Sequence, residues 1–249
     1  FGANTGGAVL IGTPLANANQ VNLGITAGSF GLLHQTASVN QVFKNYKFNF
    51  TQGYQQSDGY RANSALKRKY IQTEHVWNYS PKGEMKSFIF YSDLTYQTPG
   101  GLTAAQLAEN PKAARPATPT LPGAITQQAA IYNKTFFAGL SNNFQINDNL
   151  KYVLAFFTSY TDFKNPFITN YEKRIESTLG LRTFVEYAKS DESLAYHIQL
   201  GLESSQTKTN IKNFKNDKGV AGSLTADDNL RANQNFAFLR LNFDLNERL

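Results

Sequence analysis

The stretch Phe236–Leu245 reads Phe-Ala-Phe-Leu-Arg-Leu-Asn-Phe-Asp-Leu. Its odd positions, Ala237, Leu239, Leu241, Phe243 and Leu245, are all apolar, while its even positions end in Arg240, Asn242 and Asp244. Successive side chains of a strand point to opposite faces, so this strand has one apolar face and one face that carries charge. The apolar face runs for about ten residues, the length that crosses a lipid core at a tilt.

The same alternation recurs upstream. Val21, Leu23, Ile25 and Ala27 oppose Asn22, Gly24 and Thr26; Tyr46, Phe48, Phe50 and Tyr54 oppose Lys47, Asn49, Thr51 and Gln55. Leu179, Leu181, Val185 and Tyr187 oppose Gly180, Arg182 and Glu186, and Tyr196, Ile198, Leu200 and Leu202 oppose His197, Gln199, Gly201 and Glu203. In strand five, Phe88, Phe90, Leu94 and Tyr96 are expected on the apolar face, with Ser87, Asp93, Thr95 and Gln97 opposite. The pattern predicts about ten strands, near 20–28, 32–40, 43–56, 67–80, 85–97, 134–147, 150–163, 172–188, 193–208 and 229–246.

The connections alternate in length. Polar loops are expected at 57–66, 98–133, 164–171 and 209–228, and short turns at the other end. Thr103 is a plausible N-cap for a short helix over Leu102–Glu109 inside the longest loop. Short turns at one end and long loops at the other are the habit of outer-membrane barrels. The expected fold is therefore all-β: an antiparallel up-and-down transmembrane barrel. A charge at the hydrocarbon midplane costs ~2–4 kcal/mol. Hence Asp93, Arg182, Glu186, His197, Glu203, Arg240 and Asp244 are expected to face the lumen.

Composition narrows the function classes. Hydrophobic residues make up 41% of the chain but mean hydropathy is −0.41, so apolar residues are diluted by polar ones rather than clustered. No apolar run reaches the ~18 residues of a membrane helix, a test that says nothing of barrels. The absence of Cys excludes disulfides and thiolate chemistry. The net charge of +6 is scattered apart from Lys67–Lys69, which argues against nucleic acid as a partner. There is no Gly-Xaa-Ser-Xaa-Gly elbow, HExxH or phosphate-binding loop, and His34, His75 and His197 lie in separate strands. Neither catalysis, nor a resident metal, nor a cofactor is expected.

Tyr96-Gln97-Thr98-Pro99-Gly100-Gly101-Leu102-Thr103, continued by Asn110-Pro111 and Ala114–Pro119, resembles an extracellular segment of the TonB-dependent outer-membrane receptors, in particular their ferric-citrate branch. Gly28–Gly31 is similar to the first barrel hairpin of that family, Ser57–Arg61 to its next extracellular loop, and Gly2–Gly12 to the last strand of its plug domain. The resemblance implies that residues 1–13 end a plug, 14–19 form a linker, and 20–249 begin a barrel of about 22 strands. No signal peptide opens the chain, so it is expected to be a mature or internal piece, with the rest of plug and barrel elsewhere.

The resemblance further implies a transporter of a ferric chelate, embedded in outer-membrane lipid and driven by the TonB energy-coupling protein through a segment upstream. Arg115 and Arg61 suit an anionic chelate by bidentate, charge-assisted bonds. Tyr60, Gln97 and Tyr132 are the expected hydrogen-bonding and aromatic surface. Two alternatives remain at this point: a soluble all-β module that binds a ligand or carbohydrate, and a passive porin-like channel.

Overall fold

The alternating code folds into one antiparallel sheet. The computed structural model describes Leu15, residues 17–190 and residues 194–245. Ten strands follow one another in chain order, each hydrogen-bonded to the next. They are β1 (Gln20–Gly28), β2 (Leu32–Val42), β3 (Tyr46–Ser57), β4 (Leu66–Ser80), β5 (Gly83–Gln97), β6 (Ala130–Gln145), β7 (Leu150–Pro166), β8 (Asn170–Ser190), β9 (Leu194–Asp217) and β10 (Val220–Leu245). A helix, α1 (Ala104–Glu109), lies in the connection between β5 and β6. Residues 1–13, expected to end a plug, lie outside the described residues.

Register aligns the apolar positions of separate strands into one outer face. Phe50, Thr73, Ile89, Ala138, Thr158 and Leu179 stand opposite one another in turn from β3 to β8. Among the described residues nothing covers this face: Leu179, Leu200 and Leu239 are 67, 57 and 61% exposed. A sandwich would bury such a face against a second sheet. His75 also lies on it, with one ring nitrogen bonded to the Tyr46 hydroxyl and the other 2.9 Å from the Thr73 hydroxyl.

The opposite, inner face carries the row Lys151, Glu186, Gln199 and Arg240. It also carries aromatic rings. Phe184 and Phe238 meet edge to face at 6.0 Å, and Phe88 packs on Phe137 at 5.8 Å.

Strand five corrects the expected facing. Register puts Ile89 opposite Ala138 and Tyr91 opposite both Ile71 and Phe136, so the odd positions of β5 are outer. Asp93 and Gln97 therefore share the apolar face, and Phe88, Phe90, Leu94 and Tyr96 are inner. Phe88-Ile89-Phe90-Tyr91 is apolar at four consecutive positions, so alternation there does not identify the lipid side.

The connections differ from expectation too. The segment 209–228 is not a loop but the upper part of β9 and β10, closed by Lys218-Gly219. Both turn residues have positive φ, 51° and 88°, as a type I′ hairpin requires. The 26 residues of β10 extend roughly 85 Å at ~3.3 Å per residue, far more than a bilayer core needs. Outer positions above Ala237 are Asn235, Asn233, Arg231, Asn229 and Asp227, all polar, so the apolar face of this strand ends at Ala237. Likewise 164–171 is mostly strand, leaving Phe167–Thr169 as a turn, and 98–133 shortens to 98–129.

Candidate functional site

The upper end of the sheet gathers the connections 29–31, 58–65, 98–129, 167–169 and 218–219. The long one, 98–129, is folded. Thr103 caps α1 in a capping box: its hydroxyl accepts from the Gln106 amide at 3.3 Å, and the Gln106 side-chain oxygen accepts from the Thr103 amide at 3.0 Å. The Arg115 amide donates to the Pro99 carbonyl at 2.7 Å, and the Ala124 amide donates to the Arg115 carbonyl at 3.0 Å. Gly100 holds φ +73° against the Arg115 side chain, where its own Cβ would lie 2.9 Å from that of Arg115.

Neighbouring tips clamp the loop on two flanks. On one, Arg61 donates from Nε and Nη2 to the Ala113 carbonyl at 2.9 and 2.8 Å. Asn63 donates to the Thr98 and Ala129 carbonyls, and the Ala62 amide to the Lys112 carbonyl. On the other flank, the buried Gln127 donates to the Ile168 and Asn216 carbonyls at 2.7 and 3.0 Å. Asn216 answers by donating to the Gln127 carbonyl at 2.9 Å. Ala114, Ala124, Ala129 and Ile168 fill the small apolar core beneath.

This geometry sorts the expected ligand residues. The Arg61 guanidinium is engaged by Ala113 and fixes the loop. The Arg115 backbone is held on both sides, while its half-buried guanidinium makes no hydrogen bond or ion pair among the described residues. Tyr60 is 50% exposed, meets Phe30 edge to face at 5.5 Å, and has the Lys112 ammonium 5.7 Å from its ring. Tyr60, Arg61 and residues 112–115 thus form one seam. Gln97 and Tyr132 lie off it, on the outer face; Tyr132 stands opposite Thr95 and Lys164, and the Gln97 side chain accepts from the Ala65 amide at 3.3 Å. The reading of the sequence overlooked Lys112, Asn63, Gln127 and Asn216. Only Lys112, a cation beside Pro111 in a Pro-rich loop, carried a signal there.

Below the loop, several inner-face charges are paired. Arg182 bonds Glu203 at 3.2 Å and sits 4.6 Å from the Phe238 ring. Glu186 accepts from Lys151 and from Gln199 at 2.7 Å, and lies 3.2 Å from His197. Arg240 donates to Asn242 at 3.3 Å. Asp244 pairs by backbone with Ala195, and its side chain lies outside the described residues. Asp93, on the outer face, lies 3.6 Å from Lys134 instead.

No protein-family profile and no curated protein matches the chain. Solved structures do match its fold. The ferric citrate transporter FecA in its unliganded form superposes with a TM-score of 0.76 at 14% identity, covering 94% of this chain and 36% of that one. The ferric-catecholate import receptor Fiu from E. coli K12, in its open form, gives 0.69 at 13% identity, with coverage of 93% and 43%. The copper transporter OprC gives 0.62 at 15% identity, with coverage of 90% and 34%. The chain thus has the fold of part of a plugged outer-membrane β-barrel, and spans about a third to two-fifths of the length of these proteins.

Proposed function

We propose that the chain is part of an outer-membrane receptor that takes up a ferric chelate, ferric citrate or another siderophore, by energy coupling. The observation that carries this reading is the folded loop 98–129, clamped from both flanks above a charged inner face, in a sheet that follows the FecA barrel over 94% of this chain. A positioned loop with one unengaged guanidinium, Arg115, suits an anionic chelate, because charge-assisted bonds gain from a donor already held in place. Tyr60 and Lys112 add a ring and a second cation beside it.

The linker supports a plug inside the barrel. Ala18 accepts from the side chain of Asn40 at 2.6 Å, and Asn17 accepts from Lys47 at 2.6 Å. Asn40 and Lys47 are inner-face positions, so the chain arrives from the side a plug would occupy. Loops 58–65 and 98–129 then face the exterior. Inward movement through the plug would require the TonB coupling protein. The exposed outer face favours lipid over a soluble module.

The test is uptake. Cells whose only receptor for ferric citrate is the protein carrying this chain should import radio-iron from that chelate and stop when a protonophore collapses the driving force. Uptake indifferent to the protonophore would indicate a passive pore. Uptake equal to that of receptor-free cells, across citrate, catecholate and hydroxamate chelates, would overturn the reading.

A further inference from the structure

The inner wall has an apolar patch where a water-filled lumen would be polar. Phe88 on β5, Gly139 on β6 and Phe157 on β7 stand opposite one another in turn, with Val76 and Ala155 in the row below. Gly139 is the low point. The Phe157 ring folds over Gly180 on β8, and a Cβ on Gly139 would meet nothing closer than 3.6 Å. These residues border an open cavity of about 480 Å³, and Leu15 lies at its rim. The chain reaches that rim across the inner side of the sheet. Ala18 meets Asn40 on β2, and Asn17 meets Lys47 on β3. Followed backwards from β1, it heads for β6 and β7.

Glu74, on β4, also borders the cavity. It is 8% exposed, yet among the described residues its carboxylate accepts one hydrogen bond only, from the Gln72 side chain at 3.2 Å. A carboxylate has about four acceptor positions, and burying them unused is costly. The occupant that fits brings apolar side chains and an N–H donor together. Residues 1–14, outside the described residues, hold one apolar run, Ala8-Val9-Leu10-Ile11, and no Lys, Arg or His. Their donors to Glu74 are therefore amides and hydroxyls. Ile11 precedes Leu15 by about 13 Å of extended chain, and neighbouring strands lie ~4.8 Å apart, so the run reaches β6 and β7. Pro14 favours an extended Thr13. Alternation along an extended chain puts Val9 and Ile11 on the same side as Leu15.

We propose that residues 8–11 dock in this cavity, with Val9 and Ile11 turned to Gly139 and Ala155 and a backbone amide of the run on Glu74. The contact is a dry anchor on an otherwise charged wall, and it pins the chain before it enters β1. It rests on the inner-face course of Asn17 and Ala18 and is independent of what the protein carries.

The experiment uses the whole protein that carries this chain, in its native membrane. Ile11→Cys is paired with Ala155→Cys, and the rate at which a short bismaleimide joins them is measured. Ile11→Cys with Thr207→Cys, on the inner face of β9, is the distant control. The first pair should cross-link about tenfold faster than the control. Gly139→Leu, which fills the cavity, should remove that advantage. Val9→Asp, which alters the run and leaves the sheet untouched, is the second variant of the same sign. Cross-linking equal to the control, or unchanged by Val9→Asp, would overturn the proposal. So would cross-linked dimers, which would put a second copy in the cavity, or loss of the cross-link on adding ferric citrate alone, which would give the cavity to the chelate.

Discussion

Gln127 and Asn216 each donate a side-chain hydrogen bond to the other's backbone carbonyl, at 3.0 and 2.9 Å. The pair joins the long loop 98–129 to the tip of the β9–β10 hairpin. Asn216 also donates to the Phe167 carbonyl, which brings in the β7–β8 turn. Three connections far apart in sequence are held by two buried amides.

Asn216→Ala should release this flank. Each buried polar group left without a partner costs about 1–3 kcal/mol, and Gln127 and Phe167 both lose one. Amide exchange at Ala124–Ala129 should speed up, and limited proteolysis should cut within 98–129. Exchange unchanged from wild type would show that Asn216 does not hold the loop.

Arg61 and Arg115 should separate by effect. Arg61→Lys removes the planar fork on the Ala113 carbonyl, so exchange near Ala113–Arg115 should rise. Arg115→Gln should leave loop exchange unchanged but weaken ferric-citrate binding about tenfold, the loss of a charged bond of ~1.5 kcal/mol. Titration of chelate into both variants, alongside exchange, distinguishes the two roles.

Register sets the depth cost of a charge. Leu200→Arg, on the outer face, should destabilise the folded state in bilayers by ~2–4 kcal/mol. Gln199→Arg, one residue away on the inner face, should change it by under about 1 kcal/mol. Urea unfolding in vesicles measures both, and equal losses would contradict the assignment of faces.

Gly201 is packed under rings. A Cβ there would stand 2.5 Å from the Cβ of Phe184 and 2.6 Å from the Thr183 carbonyl oxygen. Neither atom is the free end of a side chain, so Gly201→Ala should cost about 1–3 kcal/mol, read as a lower unfolding midpoint in the same assay.

Alternation was legible where one face is apolar and the other polar. Val21–Ala27, Tyr46–Phe50 and Ala237–Leu245 satisfy that condition, and register gathers their apolar residues on one face of the sheet. At Phe88–Tyr91 the inner face is aromatic as well, so both faces looked alike and β5 was inverted. That inversion moved Asp93 and Gln97 to the wrong side. In 209–228 both faces are polar, so strand resembled loop. The Asp217-Lys218-Gly219 turn was the one signal of a hairpin there.

The candidate site was legible only as chemistry. Arg61 and Arg115 are the same residue type in neighbouring loops, and only the Ala113 carbonyl tells a structural guanidinium from an unengaged one. Gln127 and Asn216 lie 89 residues apart, and no local pattern links them.

The chain contains no Cys, which permits the most direct test. Single cysteines along Phe88–Tyr91 and Ala237–Asn242 would carry a fluorophore, in bilayers containing a lipid-borne quencher. Quenching should alternate, strong at Ile89, Tyr91, Ala237, Leu239 and Leu241 and weak at Phe88, Phe90, Phe238, Arg240 and Asn242. Uniform quenching, or the opposite phase on either strand, would contradict the account.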